Sequence, residues 1–260
     1  MIRVFDTTIE EMVLEAFLVR KGRIVLLEGP MFSSKTQQAI TIIENISDKK
    51  RVNKKLFGER KELIVKPKRD NRNSPIVIKT HDGAKVLNAT SFDEREPSQI
   101  FRLIEKMKPK EISVVLIDEV WLCSENVIEV LEELRYRGVI VLLTALDRYY
   151  DGTEVRLTKK LELVADFAVL KHAVCLCCCE ALSHYSILQK EIFEGKKFVP
   201  VTDEDKVLIG GSDKYIAACD RCYRKFESLL LEGSSPERII EVLGIRDYLE
   251  EKGSISPLKK

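Results

Sequence analysis

Apolar positions along the 260-residue chain follow two rhythms: short unbroken runs and stripes at helical spacing. Unbroken runs fall at 24–27 (Ile-Val-Leu-Leu), 62–66, 112–117 (Ile-Ser-Val-Val-Leu-Ile), 139–144 and 167–170, with a short one at 75–79. Runs this short, rich in β-branched side chains, read as strands buried on both faces. Stripes occupy the intervals. Ile9, Met12, Val13, Ala16 and Phe17 share one helical face, as do Ile100, Leu103, Ile104 and Met107 within 97–108. A further helix is expected from about 124 to 137, closed by Gly138 as a left-handed cap. Residues 37–45 suit a helix, and 236–252, with Ile239, Ile240, Val242 and Leu243, one C-terminal amphipathic helix. The Lys/Asn-rich stretch 48–61 has no periodicity and is expected to be an exposed loop, with 254–260 a loose tail. Strands alternating with helices predict an α/β fold with a mostly parallel sheet covered on both faces.

The first run leads into Gly29-Pro-Met-Phe-Ser-Ser-Lys-Thr36. Phosphate-binding loops carry Gly, four residues, Gly, Lys and Ser or Thr between a strand and a helix. Gly29, Lys35 and Thr36 match, while Ser34 stands at the second glycine. Backbone N–H groups of Gly29, Met31, Phe32, Ser33 and Ser34, in a loop whose Pro30 has none to offer, would frame an anion site, as at other helix N-termini. Lys35 would reach the outer phosphates of a nucleoside triphosphate, and the Thr36 hydroxyl would sit on magnesium. The fold expected is therefore P-loop NTPase-like. The run 112–117 ends in Asp118-Glu119, an acidic pair of the kind that lies near such a loop. Adjacent strand residues point to opposite sides, so separate roles are expected: Asp118 toward magnesium, Glu119 toward an acceptor hydroxyl as general base.

Composition narrows the setting. The chain is 45 % hydrophobic and 33 % charged with a net charge of +1, which gives no field for a nucleic-acid partner. No apolar run reaches membrane-spanning length, and Asp6, Glu10, Glu11 and Glu15 argue against a targeting segment, so a cytoplasmic enzyme is expected. Six of the seven cysteines form two clusters, which in a reducing compartment reads as a metal site. Cys175 with Cys178 and Cys219 with Cys222 repeat one spacing and would close a structural zinc site. Cys177 or Cys179 could replace Cys178, and Cys123 reads as a small buried hydrophobe. The zinc would tie together the ends of 179–218, an excursion with little apolar core of its own. His172 and His184 flank the cysteines, but four thiolates suffice. His81 is expected to bond locally.

Read in order, these motifs resemble the type II (cytosolic-type) thymidine kinases. The resemblance covers 23 to about 224. It rests on the loop at 29–36, Asp70-Asn-Arg72, Thr80-His-Asp-Gly83, Ile117-Asp-Glu119, Leu146-Asp147 with Tyr150, and Ile209-Gly-Gly-Ser-Asp-Lys-Tyr215 before the second cysteine pair. It implies transfer of the γ-phosphate of ATP, with magnesium, to the 5′-hydroxyl of thymidine or deoxyuridine. Glu119 matches the general base, Asp118 its magnesium-associated neighbour, and Asp70 and Arg72 residues near the phosphates. Leu146 and Tyr150 match residues beside the base. A lasso between the cysteine pairs would hold the pyrimidine edge through Lys206, Val207, Leu208, Ile209 and Gly210, with Tyr215. The implied organisation is a kinase domain at 1–170, a zinc-binding lasso domain at 171–224 and a helical extension at 225–260, assembled as a homotetramer. Ser34, Trp121 in place of glutamine, Arg148, Asp151 and Val155, and Ser183-His-Tyr-Ser186 depart from the family pattern.

Overall fold

The computed structural model describes residues 8–19, 21–52, 61–72, 74–79, 86–107, 112–200 and 203–255. The motif Thr80-His-Asp-Gly83, with His81, lies outside them. The described chain divides into two units, each treated by itself. One comprises 1–28, 35–145 and 156–170; the other comprises 29–34, 146–155 and 171–260.

In the first unit each of the six expected runs is a strand: β1 Arg23–Gly29, β2 Lys61–Pro67, β3 Val77–Lys79, β6 Ile112–Ile117, β7 Ile140–Leu146 and β8 Phe167–Leu170; β4 Val86–Asn88 and β5 Thr90–Phe92 were not expected. Six of these eight strands form a sheet in the order β5-β2-β6-β7-β1-β8. The registered pairs β5/β2, β2/β6, β6/β7 and β1/β8 are all parallel. Strands β3 and β4 form a separate antiparallel ribbon. The helices are α1 Ile9–Leu18, α2 Lys35–Val52, α3 Gln99–Lys106, α4 Val127–Tyr136 and α5 Arg156–Val164.

Side chains alternate between two cores, as the pleat requires. Ile24, Leu26, Val115, Ile117, Val141 and Leu143 face α3, α4 and α5, which contribute Ile100, Ile104, Leu131, Leu134 and Leu161. Their strand neighbours Val25, Leu27, Val114, Leu116, Ile140 and Leu142 face α1 and α2, which contribute Val13, Phe17, Ile40 and Ile43. Each such side chain stabilises the fold by about 1.5–3 kcal/mol when fully buried. A strand covered on both faces has no polar side to show, which is why its sequence reads as a continuous apolar run.

Two boundaries differ from the expectation. Helix α2 runs on to Val52, through the first residues of the presumed loop at 48–61, because Asp, Lys and Arg extend a nucleated helix without needing an apolar face. Residues 53–60 lie outside the described set. The expected helix at 236–252 is split by Gly244, whose φ of 67° ends one helix and starts a turn.

The second unit contains β9 Ala173–Val174, β10 Leu182–Ser183, β11 Tyr185–Leu188, β12 Tyr215–Ala218, and helices α6 Gln189–Glu194, α7 Asp220–Leu231, α8 Pro236–Leu243 and α9 Arg246–Glu251. β9 pairs antiparallel with β10, and β11 with β12. Contrary to expectation, 179–218 has an apolar core. Ile187, Ile192 and Ile216 are fully buried with Phe226, Ile239, Ile245 and Leu249 from the helices that follow. Those partners lie beyond the second cysteine pair, so the local sequence did not announce them.

Candidate active site

The loop after β1 belongs to the second unit. Gly29 has a φ of 145°, and a Cβ there would lie 2.3 Å from the Lys171 carbonyl oxygen, so no larger residue fits. The Ser33 hydroxyl donates to the Pro30 carbonyl at 2.8 Å and closes the turn. Ser34 adopts φ 59° and Phe32 φ 66°. Ser34 thus takes the left-handed backbone of the glycine it replaces, at a strain of roughly 1–2 kcal/mol for its Cβ.

Lys35 and Thr36 open α2 in the first unit, where six of the expected residues gather. The Thr36 hydroxyl donates to Asp118 Oδ1 at 3.1 Å. Thr144, near the end of β7, also donates to Asp118 Oδ1 and accepts the Glu119 backbone N–H at 2.9 Å. Glu119 is not extended: φ 54° and ψ 41° place it in a left-handed turn. The separation of the two acids therefore comes from this turn and not from strand alternation. Glu119 Oε1 accepts from Arg72 Nη2 at 2.6 Å, and Oε2 accepts from the Trp121 indole N–H. Arg72 Nε also donates to Asp70 Oδ1 at 2.7 Å, and the wholly buried Lys66 pairs with Asp70 Oδ2 at 3.5 Å. The chain Lys66–Asp70–Arg72–Glu119 puts a cation beside Asp70 and beside Glu119, while Asp118 is held by the two hydroxyls.

This network separates the adjacent acids electrostatically. Burial works to raise Glu119, but Arg72 and Lys35, with the Trp121 N–H, outweigh it and hold the carboxyl below its usual range. Asp118 is pushed up to about 6, by burial first and by the Glu119 charge second. Glu119 is thus ionised at neutral pH and able to accept a proton. Asp118 faces a hydroxyl at the first turn of α2, where a bound cation would further favour its ionised form.

In the second unit Tyr150, Leu188 and Tyr215 are buried together, with Met31, Phe32, Phe198 and Leu208 packed against them. This apolar cluster gathers loop, strand and lasso residues. Leu146, at the end of β7, is buried outside it. Tyr215 donates its hydroxyl to the Leu208 carbonyl, and Lys214 Nζ donates to the Ile209 carbonyl at 2.7 Å, so these two lasso carbonyls accept within the protein. Val207 and Gly210 are half-buried. The Lys206 side chain turns to Asp151 (3.7 Å) and the Thr153 hydroxyl (3.4 Å), over the Tyr149 ring. Arg148 lies over Tyr185, which stacks on Tyr223 at 4.5 Å. Arg148 and Asp151, unusual for the family, are thereby each given partners inside this unit.

The sulfurs of Cys175, Cys178, Cys219 and Cys222 lie within 4.8 Å of one another, with Cys178 and Cys219 3.9 Å apart. Four thiolates at about 2.3 Å around one zinc would be about 3.8 Å apart, so the donor set and spacing fit a closed tetrahedral site. Cys177 and Cys179 are not in the set. His172 and His184 meet each other edge to face at 4.5 Å.

Sequence reasoning missed Thr144, Lys66, Phe198 and Glu191. Thr144 carried a signal, a polar residue inside an apolar strand run; Lys66 within β2 carried a similar one. Glu191 is buried, accepts the Phe198 N–H at 2.9 Å and is pushed up to about 7, chiefly by burial. Nothing local marked it, because its surroundings come from distant segments.

A family model described as thymidine kinase matches residues 22–223. Relatives called thymidine kinase include one from Mycoplasma capricolum subsp. capricolum, 28 % identical over 212 residues, covering 81 % of this chain and 93 % of that one. One from Pseudothermotoga lettingae is 27 % identical over 211 residues, covering 80 % and 97 %. One from Thermococcus kodakarensis is 29 % identical over 198 residues, covering 76 % and 92 %. The chain is an enzyme of the thymidine kinase family.

Proposed function

We propose that the chain transfers the γ-phosphoryl group of ATP to the 5′-hydroxyl of thymidine or deoxyuridine. The observation that carries this reading is the first unit's arrangement: an ionised Glu119 oriented through both oxygens, beside Asp118 bonded to the first turn of the phosphate-loop helix. Glu119 takes the proton of the acceptor hydroxyl as the new O–P bond forms. Lys35 and Arg72 offset charge on the phosphates. Thr36 and Asp118 would hold magnesium, which supplies charge neutralisation at the β- and γ-phosphates when bound. The cysteine tetrad would hold zinc as a structural ion. We assign the nucleoside base to the aromatic cluster around Tyr150 and Tyr215.

The direct test supplies the purified protein with ATP, magnesium and a panel of nucleosides. A 5′-monophosphate from thymidine or deoxyuridine is expected. ATP binding with no nucleoside product would overturn the reading and leave a nucleotide-binding protein.

A further inference from the structure

Four tyrosines of the second unit bury hydroxyls or carry them into the interior, and three have partners. Tyr215 donates to the Leu208 carbonyl, Tyr223 to the Tyr150 carbonyl at 2.7 Å, and Tyr248 to the Ser212 and Tyr215 carbonyls at 3.4 Å. Tyr150 does not. It is 2 % exposed, and among the described residues its hydroxyl has no hydrogen-bond partner. Its backbone is held by the Tyr223 hydroxyl, and its ring lies 6.2 Å from that of Phe198, so the phenol is fixed within the cluster.

A buried hydroxyl left without a partner loses its hydration and gains nothing in return. A phenylalanine would fill the same space without that cost. The described residues supply no partner, so one from outside them would satisfy it. Its chemistry follows from the surroundings. Burial first, and then the charges of Glu191, Asp151 and Asp205, disfavour the phenolate, so the group stays an O–H donor. An acceptor would satisfy its O–H. The apolar, aromatic walls made by Met31, Phe32, Leu188 and Phe198 suit a planar ring that carries its acceptor at the edge.

We propose that the Tyr150 hydroxyl is a specificity-determining contact that donates to a carbonyl oxygen of the pyrimidine base. This rests on the nucleoside-kinase reading above and adds to it a side-chain contact for the base. Because the phenol is sealed in the ligand-free cluster, the base reaches it by displacing an apolar neighbour.

The test compares the unaltered enzyme with Tyr150→Phe on thymidine, 2-thiothymidine and 4-thiothymidine, since sulfur is a poor acceptor. Tyr150→Phe should raise KM for thymidine about tenfold, the worth of one good hydrogen bond, without raising KM for ATP. One thio analogue should show a similar loss with the unaltered enzyme and no further loss with Tyr150→Phe. The ligand-free variant should melt no lower than the parent, because it removes an unpaired buried group. An unchanged thymidine KM in an active enzyme, undiminished discrimination against both thio analogues in the variant, or a lower ligand-free Tm would overturn this inference alone. If the unaltered enzyme phosphorylates no pyrimidine nucleoside, both it and the proposed function fall.

Discussion

The acidic site of the first unit and the aromatic cluster of the second handle buried polarity in opposite ways. Around Asp118 and Glu119, charged and hydroxyl groups are joined in one chain of bonds from Lys66 to Trp121. In the aromatic cluster the Tyr150 hydroxyl is buried with no hydrogen-bond partner among the described residues. The first arrangement fixes its carboxylates before any ligand arrives, as the proposed general-base chemistry needs. The second leaves one donor, the Tyr150 hydroxyl, that the proposed nucleoside would satisfy, which is how a site discriminates among substrates. Their supports differ too. The first rests on a sheet covered on both faces, the second on short strands, a cysteine tetrad and helices that begin at the second cysteine pair.

The strongest way to break this comparison is to remove the tetrad. Cys219→Ser, or a zinc chelator, should abolish the melting transition of the second unit while the first unit's helical signal persists, because structural zinc contributes on the order of 10 kcal/mol. Calorimetry showing a single unaltered transition would mean that the cysteines are merely packed. Next in size, Glu119→Gln should lower kcat by about 10²- to 10⁴-fold with ATP binding retained. An active Glu119→Gln enzyme would move the base elsewhere.

Glu191 offers a smaller and pH-dependent test. Its folded pKa is raised from 4.5 to about 7, so the folded state binds the proton more tightly than the unfolded one. The associated stability is complete below about pH 4.5 and is lost as pH rises through about 7. Glu191→Gln keeps an acceptor for the Phe198 N–H and cannot ionise. It should flatten that decline and melt higher than the parent at pH 8, by on the order of 1–3 kcal/mol. Equal pH profiles for the two proteins would remove Glu191 as a strained acid. Smallest of all, Ser34→Gly should relieve the left-handed Cβ and stabilise the second unit by about 1 kcal/mol, read as a small rise in Tm. A lower Tm would show that the serine side chain compensates its own strain.

Much of the first unit was legible in the sequence. Strands such as Val139 to Thr144 and the acidic pair after Ile117 announce themselves, because a sheet covered on both faces imposes a continuous apolar run and ends it where polar groups resume. The cysteine spacing at 175–178 and 219–222 was equally plain, since a tetrahedral ion imposes paired ligands. What could not be read were relations among groups far apart in the chain. Trp121 looked like a lost amide, yet its N–H holds Glu119. Asp151 looked like drift, yet it receives Lys206. The excursion 179–218 looked poor in core, because its apolar partners come after Cys222. Local pattern by itself determined most of the first unit's elements, the loop at 29–36, the two acids and the paired cysteines, all of which obey short-range rules of period and spacing. Only the tertiary structure decided which donor meets which acceptor and which hydroxyl meets none, because hydrogen bonds and burial depend on where distant segments come to lie.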